Sequence, residues 1–495
     1  MIEAHLPALQ VVVPLVAAPL CVLLRDHRAA WALTVLISWL AFAIATALLM
    51  KVLDTGPITY ALGNWIAPWG IEYRLDPLNA FVLVIVAALG AIVATYARVS
   101  VVAEIAKERI YLFYCMYLLA LTGLLGIVIT GDAFNIFVFL EISSLSSYVL
   151  ISLGRDRRAM TAAYQYLIMG TIGATFILIG IGLLYMMTGT LNMADLARRL
   201  PPVADSRTVL AAFGFITVGA SLKLALFPLH QWLPNAYAYA PSSVSAFLAG
   251  TATKVSIYVL LRFIFTVFGA SIAFKALPLG WMLLALAILA MFIASTVAIF
   301  QQDIKRMLAY SSIAQIGYII LGISFASATG LTAGILHIFN HALMKGGLFL
   351  ALGCVFLRLG SVKLDDMKGI GRTMPVTMAG FVVGGISLIG LPPTAGFISK
   401  WYLVLAALEK GWWPVAVLIV LSSLLAVIYV WRVIEVAYFE PPPKHAQGDE
   451  VREAPLSMLV PLWTLIGANL YFGIETSASV GVAKQAASFL LGAGS

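Results

Sequence analysis

The chain has 495 residues, 62% of them hydrophobic and 11% charged, with a mean hydropathy of +1.01. A soluble protein of this length needs far more surface charge, so the composition excludes that class and describes an all-α polytopic membrane protein. The net charge of +8 comes without a basic run long enough to track phosphates; this argues against a nucleic-acid partner and suits loops facing an anionic lipid leaflet.

The N-terminus, MIEAHLPALQ, is acidic before its apolar run, and Arg25 and Arg28 follow that run. A secretory signal has the reverse charge order, so residues 6–24 read as a retained first helix. Windows of about 20 residues then place helices at 31–51, 77–97, 111–130, 132–152, 161–187, 208–228, 242–266, 279–300, 304–325, 329–357, 376–398, 412–438 and 456–473, about fourteen in all. Two of these are interrupted. GASLKLALFPLHQWLP carries Pro228 and Pro234, and GISLIGLPPTAGFISK carries Pro392 and Pro393. Proline removes a backbone donor, so each helix must break where protein or water can satisfy the freed carbonyls. Cys21, Cys115 and Cys354 lie in apolar segments with no metal or redox spacing and read as small core residues.

An internal repeat is visible. MTAAYQYLIMGTIGA (160–174) resembles LTAGILHIFNHALMK (331–345), and about 55 residues later in each copy comes a broken helix, GASLKLALFP and GISLIGLPPT. The copies are five helices apart, an odd number, so they face opposite ways across the bilayer. Inverted repeats with discontinuous helices are the build of secondary transporters. The chain divides into N-terminal transmembrane helices (1–110), a first five-helix repeat (111–266), a second (279–438), and a cytoplasmic loop with a C-terminal helix (439–495). With the N-terminus outside, the inner loops hold sixteen Lys and Arg, Lys444 and Arg452 being the last, and the outer loops hold seven. The positive-inside rule therefore puts both termini on the outer, periplasmic side of a cell membrane.

With loop charges removed, Glu141, Lys223, Lys254, Lys345 and Lys400 remain inside apolar segments, with His337 and His341. Glu141 lies about 13 Å into its helix at ~1.5 Å per residue, near the middle of a core ~30 Å thick. Lys254 is also central, Lys223 precedes the first break by five residues, and Lys400 follows the second. A charge at this depth costs roughly 2.5–3.5 kcal/mol on insertion scales. One could be a structural ion pair, but five at similar depth call for a polar route between them. His337, His341 and Lys345, at i, i+4 and i+8, share one helix face. Histidine titrates near neutrality and a desolvated lysine exchanges its proton readily, so the stripe can relay protons. The residues also admit plainer roles. Lys345 could snorkel, Lys400 could cap the broken helix, and the histidines could pack, or pair on a metal for which no third ligand follows. Arg262, Arg432 and Glu435 lie near helix ends and read as interfacial anchors. No phosphate loop, nucleophile elbow or haem-attachment pair is present, so no cofactor is expected.

Several blocks resemble a known family. TGDAFNIFVFLEISSLSSYVLISLG (130–154), SLKLALFPLHQWLPNAYAYAPSSVSAFLAGTATKVSIYVLLR (221–262), QQDIKRMLAYSSIAQIGYIILG (301–322), HIFNHALMKGGLFLALG (337–353) and GLPPTAGFISKW (390–401) are similar to the proton-translocating antiporter-like subunits shared by respiratory complex I and the Mrp-type multisubunit cation/proton antiporters. The blocks at 63–80 and 188–197 look most like the D-type Mrp subunits. The resemblance implies roles by position. Glu141 is the acid that pairs with Lys223 on the broken seventh helix, and Lys254 is the connecting residue of the eighth. His337, His341 and Lys345 continue the axis, and Lys400 ends it on the broken twelfth helix. Four serines, at 143, 144, 146 and 147, extend the polarity around Glu141. The chain stops soon after the fourteenth helix, without the lateral helix of the largest complex I member. Three readings follow. The first is an ion-translocating subunit of an Mrp-type antiporter that exchanges a monovalent cation, Na⁺, for protons within a complex of other membrane subunits. The second is a proton-pumping subunit of complex I or a membrane-bound hydrogenase. The third is a membrane scaffold whose partner does the chemistry.

Overall fold

A computed structural model describes residues 2–276, 278–441 and 451–492; Lys444, counted above among the inner-loop cations, lies outside them. The helices are α1 (Leu6–Leu24), α2 (His27–Thr55), α3 (Pro77–Glu104), α4 (Ile110–Ile129), α5 (Ala133–Ser152), α6 (Arg158–Thr188), the short α7 (Met193–Arg199), α8 (Arg207–Lys223), α9 (Trp232–Tyr239), α10 (Ser242–Gly250) and α11 (Ala252–Leu261). They continue with α12 (Leu279–Leu289), α13 (Ser295–Ile299), α14 (Ile304–Ser324), α15 (Ala328–Leu359), the single turn α16 (Ile370–Thr373), α17 (Pro375–Ile389), α18 (Ala395–Glu409), α19 (Trp413–Tyr438), α20 (Leu456–Ile474) and α21 (Ser477–Leu490). Among the described residues, twelve helical segments are long and apolar enough to span a membrane. The interrupted pairs α8/α9 and α17/α18 bring the crossings to the fourteen expected. This is a nearly all-helical polytopic membrane protein, as expected but for one short β-hairpin.

Local chemistry sets the ends. Asp26, Asp76, Asp132, Asp303 and Ser327 cap helix N-termini through their side chains, Asp76 in a reciprocal box with Asn79. Between α2 and α3 a hairpin pairs β1 (Ile58–Ala61) antiparallel with β2 (Glu72–Leu75). Its end of the bundle, the hairpin face, also carries Thr130, bridged to Tyr73, and Asn192, bridged to Asp132. Asp303 and Lys363 bridge at the opposite face.

α15 is the central post, with every residue from Gly330 to Val355 buried. α14 and the α10/α11 crossing are almost as enclosed, whereas α1, α2 and α19 show much of their surface to lipid. Lipid is as apolar as leucine, so packing here relies on close approach of small residues. At the α6–α8 crossing, a Cβ on Gly219 would sit 2.6 Å from the Gly173 carbonyl oxygen.

The breaks differ from expectation in detail. The seventh crossing leaves helical form at Lys223 itself, not five residues later, and Ala225 takes a φ of +60°. Pro234 lies inside α9 rather than at a break. The eighth crossing, read as continuous, is interrupted at Thr251 (φ −124°, ψ −58°). α21 was not foreseen. Its small apolar face, with Ala483, Ala486 and Ala487 buried, packs on α3 and α15.

Candidate ion-translocation axis

The first group lies between α5 and the end of α8. Lys223 is the last residue of α8, its side chain only 3% exposed. Its ammonium donates to Ser144 Oγ at 2.7 Å and lies 4.0 Å from Glu141 Oε1. Glu141 and Lys223 are therefore brought together, but at ion-pair distance rather than in hydrogen-bond contact. The Glu141 side chain is 27% exposed, while its Oε1 is buried without a hydrogen-bond partner among the described residues. Of the four serines, Ser143, Ser146 and Ser147 bond back to their own helix, and only Ser144 turns to the lysine. Beyond Lys223 a recess lined by Ser144, Ser147, Ser256 and apolar side chains has a volume of about 10 Å³, roughly the room of one water. Ser143 and Tyr166 also line it, so the stretch toward Lys254 is narrow but largely polar.

Lys254 is fully buried, and its ammonium donates to the Ala249 carbonyl. The interruption at Thr251 opens α10 just there, so the lysine takes an oxygen that the helix has released. Lys400 does the same at the second broken helix, donating to Leu388 O at 3.1 Å and Ile389 O at 2.8 Å, the last carbonyls of α17. A cation at a helix C-terminus is favoured by the exposed carbonyl dipoles. Capping and a place on the axis are thus the same geometry for Lys400. It also donates to Ser423 Oγ at 3.0 Å and sits 4.5 Å over the Tyr318 ring.

Between them runs the stripe on α15. Lys345 is fully buried, donating to Leu308 O at 2.8 Å and to Ser311 Oγ, so it does not snorkel. The two histidines are stacked with ring centroids 6.1 Å apart. His337 uses both nitrogens, Nδ1 with Ser399 Oγ at 2.7 Å and Nε2 with Gln315 Oε1 at 3.0 Å. His341 is just as buried, yet neither ring nitrogen has a protein partner among the described residues. A buried polar group left this way is where an internal water belongs.

Sequence reasoning placed the helix over 304–325 but missed its part in the site. α14 supplies a partner at each level: Ser311 to Lys345, Gln315 to His337, and the Tyr318 ring to His337 at 5.8 Å and to Lys400. Ser311, Gln315 and Tyr318 fall on one helical face at i, i+4 and i+7. Their uncharged side chains drew no notice in an apolar segment. Arg262 also departs from expectation. It is no interfacial anchor: it is buried and paired with buried Asp76 at 2.8 Å. Arg432 donates to the Ile299 carbonyl.

Fold and axis together define a multi-pass, antiporter-like membrane protein. Residues 130–426 match the family model described as NADH:quinone oxidoreductase/Mrp antiporter, transmembrane, and the chain belongs to that family. It is 46% identical over 483 residues to NADH-quinone oxidoreductase subunit N of Desulforudis audaxviator, covering 93% of this chain and 94% of that one. It is 30% identical to the D-type Na⁺/H⁺ antiporter subunit of Alkalihalophilus pseudofirmus over 475 residues, 95% of this chain and 94% of the relative. Its structure matches a chain of the Mrp complex from Dietzia with a TM-score of 0.90 at 26% identity, covering 100% of this chain and 98% of that one.

Proposed function

We propose that this chain is an ion-translocating subunit of an Mrp-type multisubunit antiporter that exchanges Na⁺ for protons, moving the protons along Glu141, Lys223, Lys254, His341, His337 and Lys400, with Lys345 as a side station. The observation that carries this is the burial of four lysines and two histidines at the crossing point of the bundle, with only carbonyls, hydroxyls, one amide and one carboxylate for company. Such groups are costly in a bilayer and face protein or water because they serve an ion path. A proton reaching Glu141 removes the negative charge beside Lys223, and the lysine then favours a neutral state or a new partner further along. The partial exposure of the Glu141 side chain suits a neighbouring membrane subunit packed against it, since an acid left facing lipid would be unfavourable. The chain itself carries out no covalent chemistry in this reading. In this reading its membrane is the cell membrane, and the excess of Lys and Arg at the face opposite the hairpin supports an outer position for the hairpin and both termini.

The likeness to NADH-quinone oxidoreductase subunit N favours a second reading, in which the same axis is driven by electron transfer in partner subunits. One experiment separates the two. Vesicles carrying the assembled complex are assayed for proton movement with Na⁺ or K⁺, with and without a redox substrate and quinone. Na⁺-dependent movement without redox turnover supports the antiporter, and movement only with turnover supports the pump. No movement in either case overturns both.

A further inference from the structure

One set of buried polar groups lies off the axis. On the α10/α11 crossing, Lys254, Tyr258 and Arg262 recur at i, i+4 and i+8, a stripe about 12 Å long at ~1.5 Å per residue that climbs from the axis toward the hairpin face. Arg262 Nη2 meets Asp76 Oδ2 at 2.8 Å, with both side chains nearly inaccessible. Arg262 Nε donates to the Tyr258 hydroxyl at 3.2 Å, and Tyr258 in turn donates to the Val128 carbonyl at 3.0 Å. Against the pair lies a cavity of about 50 Å³ whose lining includes Arg74, Thr130 and, from α21, Phe489. A buried water needs roughly 10–15 Å³ on this scale, so a few waters fit. Arg262 also opens a π-helical turn, Arg262–Val267, a distortion that concentrates at functional positions.

Stability is a weak reason for this arrangement. Asp76 already caps α3 through its other oxygen, accepting from Leu78 N and Asn79 N at 3.0 and 3.2 Å, and a buried ion pair is often matched in stability by apolar residues. We propose that the Asp76–Arg262 pair is a charge gate on a second proton branch, which joins the hairpin face to Lys254 through the Tyr258 hydroxyl. This rests on the reading that the chain moves protons. With the pair closed, the guanidinium is held on Asp76 and fills the mouth of the branch beside the cavity. It also commits the Tyr258 hydroxyl, whose proton is held on the Val128 carbonyl and turned away from Lys254. When the pair parts, Tyr258 can take a proton from cavity water on one lone pair and give up its own toward Lys254, or the reverse, and ends unchanged. Asp76 neutralises the gate and receives no proton in this scheme.

The test uses the whole complex in vesicles. Tyr258→Phe keeps ring and volume, and should lower coupled proton flux at least about tenfold with assembly and thermal stability unchanged. The double variant Asp76→Asn with Arg262→Gln keeps the α3 cap and leaves no lone buried charge. It should raise the passive proton leak, measured without Na⁺ or redox substrate, at least about tenfold by removing the guanidinium that fills the mouth and holds the Tyr258 hydroxyl. A purely structural pair would not move that leak. Wild-type flux in Tyr258→Phe overturns the branch, and wild-type leak in the double variant overturns the gate. If the double variant fails to assemble, Tyr258→Phe alone decides the branch, and without it there is nothing to gate. Lys223→Ala is measured in parallel. If it transports normally, the axis reading falls and the branch with it. If it is silent while Tyr258→Phe and the double variant behave as wild type, only this inference falls.

Discussion

Gly390 and Lys400 are packed backbone against side chain: a Cβ built on Gly390 would lie 2.7 Å from Lys400 Cδ. Gly390 ends α17 with a φ of +91°, a region where other residues are strained. Glycine there opens the helix end and leaves the path by which the lysine reaches the last carbonyls. Gly390→Ala should cost about 1–2 kcal/mol from the backbone alone and push Lys400 off Leu388 and Ile389. The expected outcome is an unfolding temperature lowered by a degree or more together with severely reduced ion transport, checked by thermal shift and vesicle assays on one preparation. Loss of neither would show that the close fit is incidental.

Glu141→Gln keeps the shape of the side chain and removes its charge. Because Lys223 is held mainly by Ser144 in hydrogen-bond terms, the fold should survive and the complex should still assemble. Proton flux should fall by a factor on the order of 100. Lys223→Ala should be at least as silent. Normal flux in either variant would remove the pair from the mechanism.

His337 and His341 should separate in their effects. His337 ties α15 to both α14 and α18, so His337→Gln should lower thermal stability as well as transport. Among the described residues, His341 makes no protein hydrogen bond to another helix. His341→Phe fills its space with an apolar ring and should leave stability near wild type while flux falls by roughly 100-fold. If His341→Phe transports normally, the unpartnered imidazole is only packing.

Lys345→Met tests whether a buried ammonium is kept for stability. Methionine has similar length and needs no partner. The variant should be as stable as wild type or more so, because desolvating the charge is no longer required. Transport should drop if Lys345 stores a proton beside the histidines, and equal transport would reassign it to a structural role.

Much of this protein could be read from its sequence, because a bilayer leaves few options. Every crossing must satisfy its own backbone, so apolar length located the spans, and charges inside them stood out one by one. Most of what stayed hidden carries neither charge nor proline. The interruption at Thr251, three residues before Lys254, sits in the bland run GTA. Ser311, Gln315 and Tyr318 looked like ordinary helix residues until the fold brought α14 against α15. Arg262 sat near a helix end and so passed for an anchor, since its partner, Asp76, is 186 positions away in the chain. The four serines beside Glu141 misled in the other direction: composition made them look like a polar patch, and three spend their hydroxyls on their own helix.

The single face of α14 that meets Lys345, His337 and Lys400 has a mechanical corollary. These three groups, drawn from two different helices, are indexed to one rigid rod. A slip or twist of that rod by a fraction of a turn would disturb one contact of each group at once, like pins lifted by one key.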